Sequence, residues 1–276
     1  MTIDPAQLPP RVRIDLAYVG TAFHGWQVQP GLRTVQGDLA AMLERLLLRP
    51  MMPTGAGRTD TGVHAHGQVA HVKLRNHNEV QRVVGALAKL PPDDIHIHEV
   101  RQVSPVFNAR LQATSRRYSY RLRWTRNIFD PHAFEVLRPL DHQAMEAASR
   151  RFLGEHDYSS FCKTGSLKDE NTCRLDLCAL EWTDQGCIFR VRANRFLHHM
   201  VRNMVGLLLE IGRGVRQPED VDAVLAARSR TAAGMMAPAH GLFLDEVTYP
   251  DELLDPGYLP PDYTPWPHEA AEGDDA

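Results

Sequence analysis

The chain has 276 residues, a formal net charge of −3, 43% hydrophobic and 24% charged residues, and four cysteines. That is enough apolar material for one large or two modest domains, which excludes a mini-protein dependent on staples. No stretch approaches the ~20 uninterrupted apolar residues of a membrane span; the longest helix-like run, Val201 to Ile211, is cut by Arg202 and Asn203.

From the start, Val12, Ile14, Leu16 and Tyr18 alternate with Arg11, Arg13 and Asp15, the pattern of a half-buried strand. A loop with glycines and aromatics follows, GTAFHGWQVQPG. Thr34 caps a helix carrying Val35, Leu39, Leu43 and Leu46, which ends before Pro50. A second glycine-rich loop, TGAGRTDTGVH, leads into a strand over 68–74. A helix over 79–90 stops at Pro91-Pro92, and a strand covers 95–103. The later chain repeats this logic: a strand near 118–124, a helix near 142–153, strands near 175–182 and 187–193, and a helix near 194–211. The pattern predicts an α+β protein whose two sheet-plus-helix halves, 1–108 and 109–250, carry strands of mixed direction. Residues 251–276 form a Pro-rich acidic tail, expected to add little core and to be partly disordered.

The tail holds eight acids and no Lys or Arg, leaving 31 basic against 26 acidic residues before it. Only Lys73, Lys89, Lys163 and Lys168 are lysines; the other cations are arginines, whose planar fork suits phosphates and base stacking. Cys162, Cys173, Cys178 and Cys187 form no C-x-x-C pair and read as packing residues. The opening MTIDPAQLPP lacks the basic and apolar regions of a secretory leader, so a cytoplasmic protein is expected.

Three segments could carry chemistry. In Gly55-Ala56-Gly57-Arg58-Thr59-Asp60-Thr61-Gly62-Val63-His64, three glycines surround one carboxylate and one guanidinium. Such a loop admits a ligand closely, or it is a surface turn in which Arg58 pairs with Asp60. Phe107–Arg126 interleaves six arginines, Arg110, Arg116, Arg117, Arg121, Arg123 and Arg126, with Tyr118, Tyr120 and Trp124, and contains no acid. That suits a surface that neutralises phosphates and stacks bases, or a strand with one solvated Arg face. In NRFLHHMVRNMVG, Arg202 lies at the edge of an apolar helical stripe and needs an anion, from either the protein or a ligand. Histidines are plentiful, but adjacent His198 and His199 would diverge on a helix, and no H-E-x-x-H motif is present. No metal site is expected. Walker A, G-x-G-x-x-G and G-x-S-x-G motifs are absent too, leaving Asp, Arg and Tyr.

In order along the chain, YVGTAFHGWQVQ, GRTDTGVHAHGQV, ARLQATSRRYSY, NRFLHHMVRNMVG and GLFLDEVTYP closely resemble the TruA family of tRNA pseudouridine synthases, over residues 11–250. Val19 departs from the acid usual in the family's Y-D-G opening. The resemblance implies one extended, mixed, mainly antiparallel sheet with a central cleft, the pseudouridine synthase fold. It also implies isomerisation of uridine at positions 38, 39 and 40 of the tRNA anticodon stem-loop by a homodimer, with neither cofactor nor metal. By resemblance, Asp60 is the nucleophile, Arg202 its basic partner, Tyr118 a contact to the target base, and Arg58 the side chain that fills the space the base vacates. Leu242 and Leu244 would wall the base pocket, or are plain strand-core leucines. His64 would support the loop, and Phe23, Trp26 and Gln27 would contact RNA. The rival readings are a non-catalytic RNA-binding protein and a metal-dependent hydrolase using Asp60, His64 and His66.

Overall fold

The computed structural model describes residues 4–261 and 263. The predicted alternation holds in β1 (Arg11–Tyr18), where Val12, Ile14 and Leu16 are completely buried. Thr34 accepts a hydrogen bond from the Gly37 amide at 3.2 Å and opens α1 (Val35–Leu47), which Leu48 closes in the left-handed conformation. A short β2 (Thr54–Gly55) precedes the glycine-rich loop, and β3 (His64–Lys73) begins directly after it, earlier than the alternation suggested. Then come α2 (His77–Ala86), started by an Asn76 cap, and β4 (Ile95–Val103).

The later chain supplies β5 (Ser115–Arg123), a short β6 (Phe134–Glu135), α3 (His142–Arg150) and β7 (Gly154–Asp157). After these follow β8 (Thr172–Thr183), β9 (Gly186–Ala193), α4 (Met200–Gly212), α5 (Asp220–Ala227) and β10 (Leu242–Thr248).

The strands form one sheet in the order β4-β1-β3-β10-β5-β9-β8-β7, with β2 beside β3 and β6 beside β5. Every pairing is antiparallel except β3 with β10 and β5 with β6, so the fold is α+β with a mixed, mainly antiparallel sheet. Strand β10 is the join: it pairs parallel to β3 through Phe243 and Leu244, and antiparallel to β5 along its length. Gly67 makes that approach possible, because a Cβ there would lie 2.4 Å from the Asp245 carbonyl oxygen.

Two expectations need correction. The helix expected from residue 194 starts at Met200, because His199 sits in the left-handed region at φ 68° and breaks helical continuity before it. The tail also contributes core: Leu253 is buried, while Leu254, Tyr258, Leu259 and Tyr263 pack against the main cluster. Its prolines bar regular helix but leave leucines and tyrosines free to lie on the body, and the Ser104 hydroxyl donates to the Tyr258 carbonyl. The expected disorder of the remaining tail falls outside the described residues. All four cysteines are free and buried, and burial pushes the Cys173 and Cys187 thiols up to about 12. Among the described residues, no helix is long and apolar enough to cross a membrane.

Candidate active site

The loop between β2 and β3 is shaped by the first glycine-rich loop. The Trp26 amide donates to the Thr59 carbonyl at 3.1 Å, and the Gly62 amide to the Phe23 carbonyl at 3.3 Å. Gly25, at φ 86°, fits only because a Cβ there would lie 2.6 Å from the Thr59 carbonyl oxygen. Below the loop, the Tyr18 hydroxyl bonds Thr59 Oγ1 at 2.8 Å, and Gln68 Nε2 donates to the Gly57 carbonyl at 3.0 Å. Burial raises the Tyr18 phenol to about 12, so it stays protonated. Phe23 and Trp26 are therefore core, 1% and 2% exposed, which overturns their expected contact with RNA; Gln27 is exposed.

This framework presents Asp60, whose side chain is 17% exposed, to the start of α4. Arg202 NH1 donates to Asp60 Oδ2 at 3.0 Å, while Arg202 Nε donates to the Ala237 carbonyl at 2.9 Å. The guanidinium is thus held at both ends, with its charge against the carboxylate. The anion that Arg202 required is protein-supplied, and Asp60 pairs with Arg202 rather than with Arg58. Arg58 is exposed and has no hydrogen-bond or ion-pair partner among the described residues.

Two further residues, missed as site residues from sequence, converge on Asp60. His198 Nε2 lies 3.2 Å from Oδ1 and His199 Nε2 lies 3.4 Å from Oδ2. On a helix they would diverge, but the left-handed turn at His199 brings both imidazoles to the same carboxylate. Burial lowers the His199 pKa, against the opposing pull of the Asp60 charge. Together Asp60, His198 and His199 offer three ligand atoms within 4.8 Å of one another. The motif H-H-M-V-R-N held both imidazoles close in sequence to Arg202; helical periodicity concealed their convergence.

Tyr118 stands on β5, 9% exposed, edge-on to Phe196 with ring centroids 5.0 Å apart. Burial, reinforced by the nearby Tyr18 and Asp60, pushes its phenol above the ordinary range and keeps it neutral. Leu244 pairs with Tyr118 across β10 and β5, and Leu242 with Tyr120; both leucines belong to the core cluster. His64 accepts the Gly20 amide at Nδ1 (3.0 Å), which leaves Nε2 to donate to the His240 carbonyl at 3.2 Å. Burial lowers His64 to about 4, so this neutral ring ties the first loop to the turn before β10.

The arginine-rich strand buries Tyr118, Tyr120 and Leu122 and turns Arg117, Arg121 and Arg123 to its other face, where they meet protein partners. Arg116 donates to four carbonyls, those of Ala113, Asn194, Ala56 and Arg110, and so braces the Asp60 loop against β5. Arg117 pairs with Glu246 and Arg123 with Asp130, while Arg121 lies over Phe243 and donates to His66. The acids missing from the segment arrive from elsewhere in the chain, and Arg110 and Arg126 stay exposed.

Residues 148–250 match a family described as tRNA pseudouridine synthase. Together with relatives matched over nearly their whole length, that match defines the class: the enzyme is a pseudouridine synthase, an isomerase. The chain is 40% identical over 248 residues to tRNA pseudouridine synthase A of Shouchella clausii, covering 88% of this chain and 95% of that protein. It is 42% identical over 245 residues to tRNA pseudouridine synthase A of Maridesulfovibrio salexigens, covering 87% and 90%. The chain belongs to the tRNA pseudouridine synthase A family. A solved structure described as the archaeal box H/ACA sRNP Nop10-Cbf5 complex aligns at 14% identity and a TM-score of 0.36. The alignment covers 76% of this chain and 49% of that one.

Proposed function

We propose that the protein converts uridine to pseudouridine in the anticodon stem-loop of tRNA, around positions 38, 39 and 40, with Asp60 as nucleophile. The observation that carries this reading is the Asp60 carboxylate, paired with Arg202 at 3.0 Å and presented beside Tyr118 at the join between β3, β10 and β5.

The reaction breaks the N1–C1′ bond and forms C5–C1′; C5 gives up its proton and N1 gains one. No redox change, hydrolysis or transfer to another molecule takes place. A carboxylate suits such chemistry because it can stabilise or trap an electron-deficient sugar, as in glycosidases. The fixed Arg202 charge lies against that carboxylate at 3.0 Å. Attack on C1′, attack on C6 and elimination to a glycal all call on that same Asp60 carboxylate.

The uridine must first leave its stack, which costs about a few kcal/mol. Arg58, exposed and without an ion-pair partner among the described residues, fills the vacated space. The neutral Tyr118 phenol contacts the extruded base, and Leu242 and Leu244 back the wall on which Tyr118 stands. The active unit is a cytoplasmic homodimer in which one tRNA touches both subunits, and its halves are residues 1–108 and 109–250.

The test is chemical mapping of pseudouridine in a defined tRNA after incubation with wild type or Asp60→Asn. Pseudouridine in the anticodon arm from wild type alone is the expected result. Tight tRNA binding by both proteins, with pseudouridine from neither, would return the protein to the binding-only reading.

A further inference from the structure

The pseudouridine reaction needs Asp60 and its counter-charge, yet two imidazoles also close on the same carboxylate. Their Nε2 atoms lie 3.2 Å and 3.4 Å from its two oxygens. A tetrahedral zinc ion bonds N and O ligands at about 2.0–2.2 Å, which places neighbouring ligand atoms roughly 3.3–3.6 Å apart. The His198–Oδ1 and His199–Oδ2 separations each lie near that spacing, though they run to different oxygens, and one ligand atom from each of the three residues lies within 4.8 Å of the other two. Small rotations of the side chains therefore complete a three-ligand set.

The surroundings favour a ligand over a passive neighbour. His198 Nδ1 lies 3.1 Å from Ser166 Oγ, and its backbone carbonyl accepts from the Lys163 amide at 2.9 Å. The tautomer that donates from Nδ1 to this hydroxyl leaves Nε2 free and facing Asp60, the outer-sphere support that metal-binding histidines have. His198 is 41% exposed, so an ion can enter from solvent and keep water in the fourth position. Arg202 holds Oδ2 and leaves Oδ1 toward His198. His199 faces the same Oδ2 that Arg202 holds, so an ion bound by both histidines takes Oδ1 as its oxygen ligand and sits against the Arg202 charge, which weakens the site.

We propose that Asp60, His198 and His199 form a binding site for a tetrahedral divalent cation, Zn2+ above all, whose occupation silences the enzyme by taking the nucleophile. The silencing rests on the functional reading above; the binding does not. The ion is an inhibitor of this site and no part of the reaction.

The experiment titrates metal-free full-length protein with Co2+, read by its visible spectrum, and then displaces Co2+ with Zn2+. Expected are one ion per chain, the intense bands of tetrahedral Co2+, and no thiolate charge-transfer band, since the four cysteines are buried. His198→Asn alters an exposed side chain, and His199→Asn keeps a residue type that tolerates the left-handed conformation. Each should weaken Co2+ binding by at least the ~10–100-fold that loss of an outer-sphere partner alone produces. His96→Asn, on the exposed side of β4, should leave it unchanged. Pseudouridine formation by wild type should fall with Zn2+ occupancy and return with EDTA. A spectrum that stays octahedral, or tetrahedral binding that survives both His198→Asn and His199→Asn, overturns the site. Binding with full activity overturns the silencing. Metal-free protein that makes no pseudouridine, yet shows the tetrahedral spectrum, sinks the functional reading and leaves the cation site standing.

Discussion

Replacing Arg202 by Met removes the guanidinium that lies 3.0 Å from Asp60, with side-chain exposures of 11% for Arg202 and 17% for Asp60. Two unit charges about 4 Å apart interact by about 4 kcal/mol at an effective dielectric of 20. Solvent at the carboxylate and the neighbouring imidazoles trim this, so the coupling between Asp60 and Arg202 should be about 2–3 kcal/mol. A double-mutant cycle of Asp60→Asn, Arg202→Met and the pair, followed by urea unfolding, isolates that quantity. The hydrogen bond from Arg202 to the Ala237 carbonyl is lost in both Arg202 legs and cancels. In turnover, the same energy corresponds to a roughly 30–150-fold loss of kcat in Arg202→Met. A coupling below about 0.5 kcal/mol would show that the pair is not energetically joined, and the account of how the nucleophile is held would fall.

Tyr18→Phe takes a buried hydroxyl from Thr59 and Gln68 and should destabilise the fold by about 1–3 kcal/mol, with kcat reduced more than KM is raised. An unchanged urea midpoint would remove Tyr18 from the support of the loop. His64 and His71 are held neutral by burial, at about 4 and about 3. Below their ordinary value near 6.5 the unfolded chain takes up protons that the folded chain refuses. Stability should therefore decline as pH falls from about 6.5 toward 4, each group adding a slope of up to about 1.4 kcal/mol per pH unit. His64→Gln should flatten that decline, and an identical pH profile would contradict the assignment. Affinity for tRNA should weaken steeply with salt, and Arg58→Ala should reduce the slope of log affinity against log salt by about 0.7–0.9. A flat salt profile in the wild type would exclude phosphate contacts as the basis of binding.

Local elements were legible where local forces decide them. Alternation marked β1 to the residue, and the Thr34 cap marked the start of α1, because both signals lie within a few positions of what they specify. Strand β10 entered only as an alternative reading of Leu242 and Leu244, without bounds: LFLDEVT is short, and its partners Tyr118 and His64 lie more than 120 residues away. Asp60 and Arg202 could each be nominated as unusual, one in a glycine loop and one on an apolar stripe. Their pairing across 142 positions came through family resemblance, not through pattern. His198 and His199 were misjudged because a helix was extended over them, and a single left-handed residue redirects both rings. The partners of the acid-free arginine strand were hidden as well, since Glu246 and Asp130 lie outside it.

Strand β10 also sets an order of events during synthesis. Strands β1, β3 and β4 can pair as soon as residue 103 has left the ribosome, but the second edge of β3 pairs there with only the two-residue β2. At about 5–20 residues per second, several seconds or more pass before Leu242–Thr248 arrives to zip β3 to β5. Until residue 202 emerges the nucleophile loop lacks its counter-charge, and until β10 follows 40 residues later the second edge of β3 stays open to wrong pairing. The counter-charge of Asp60 is thus made before the strand that closes the sheet beside it.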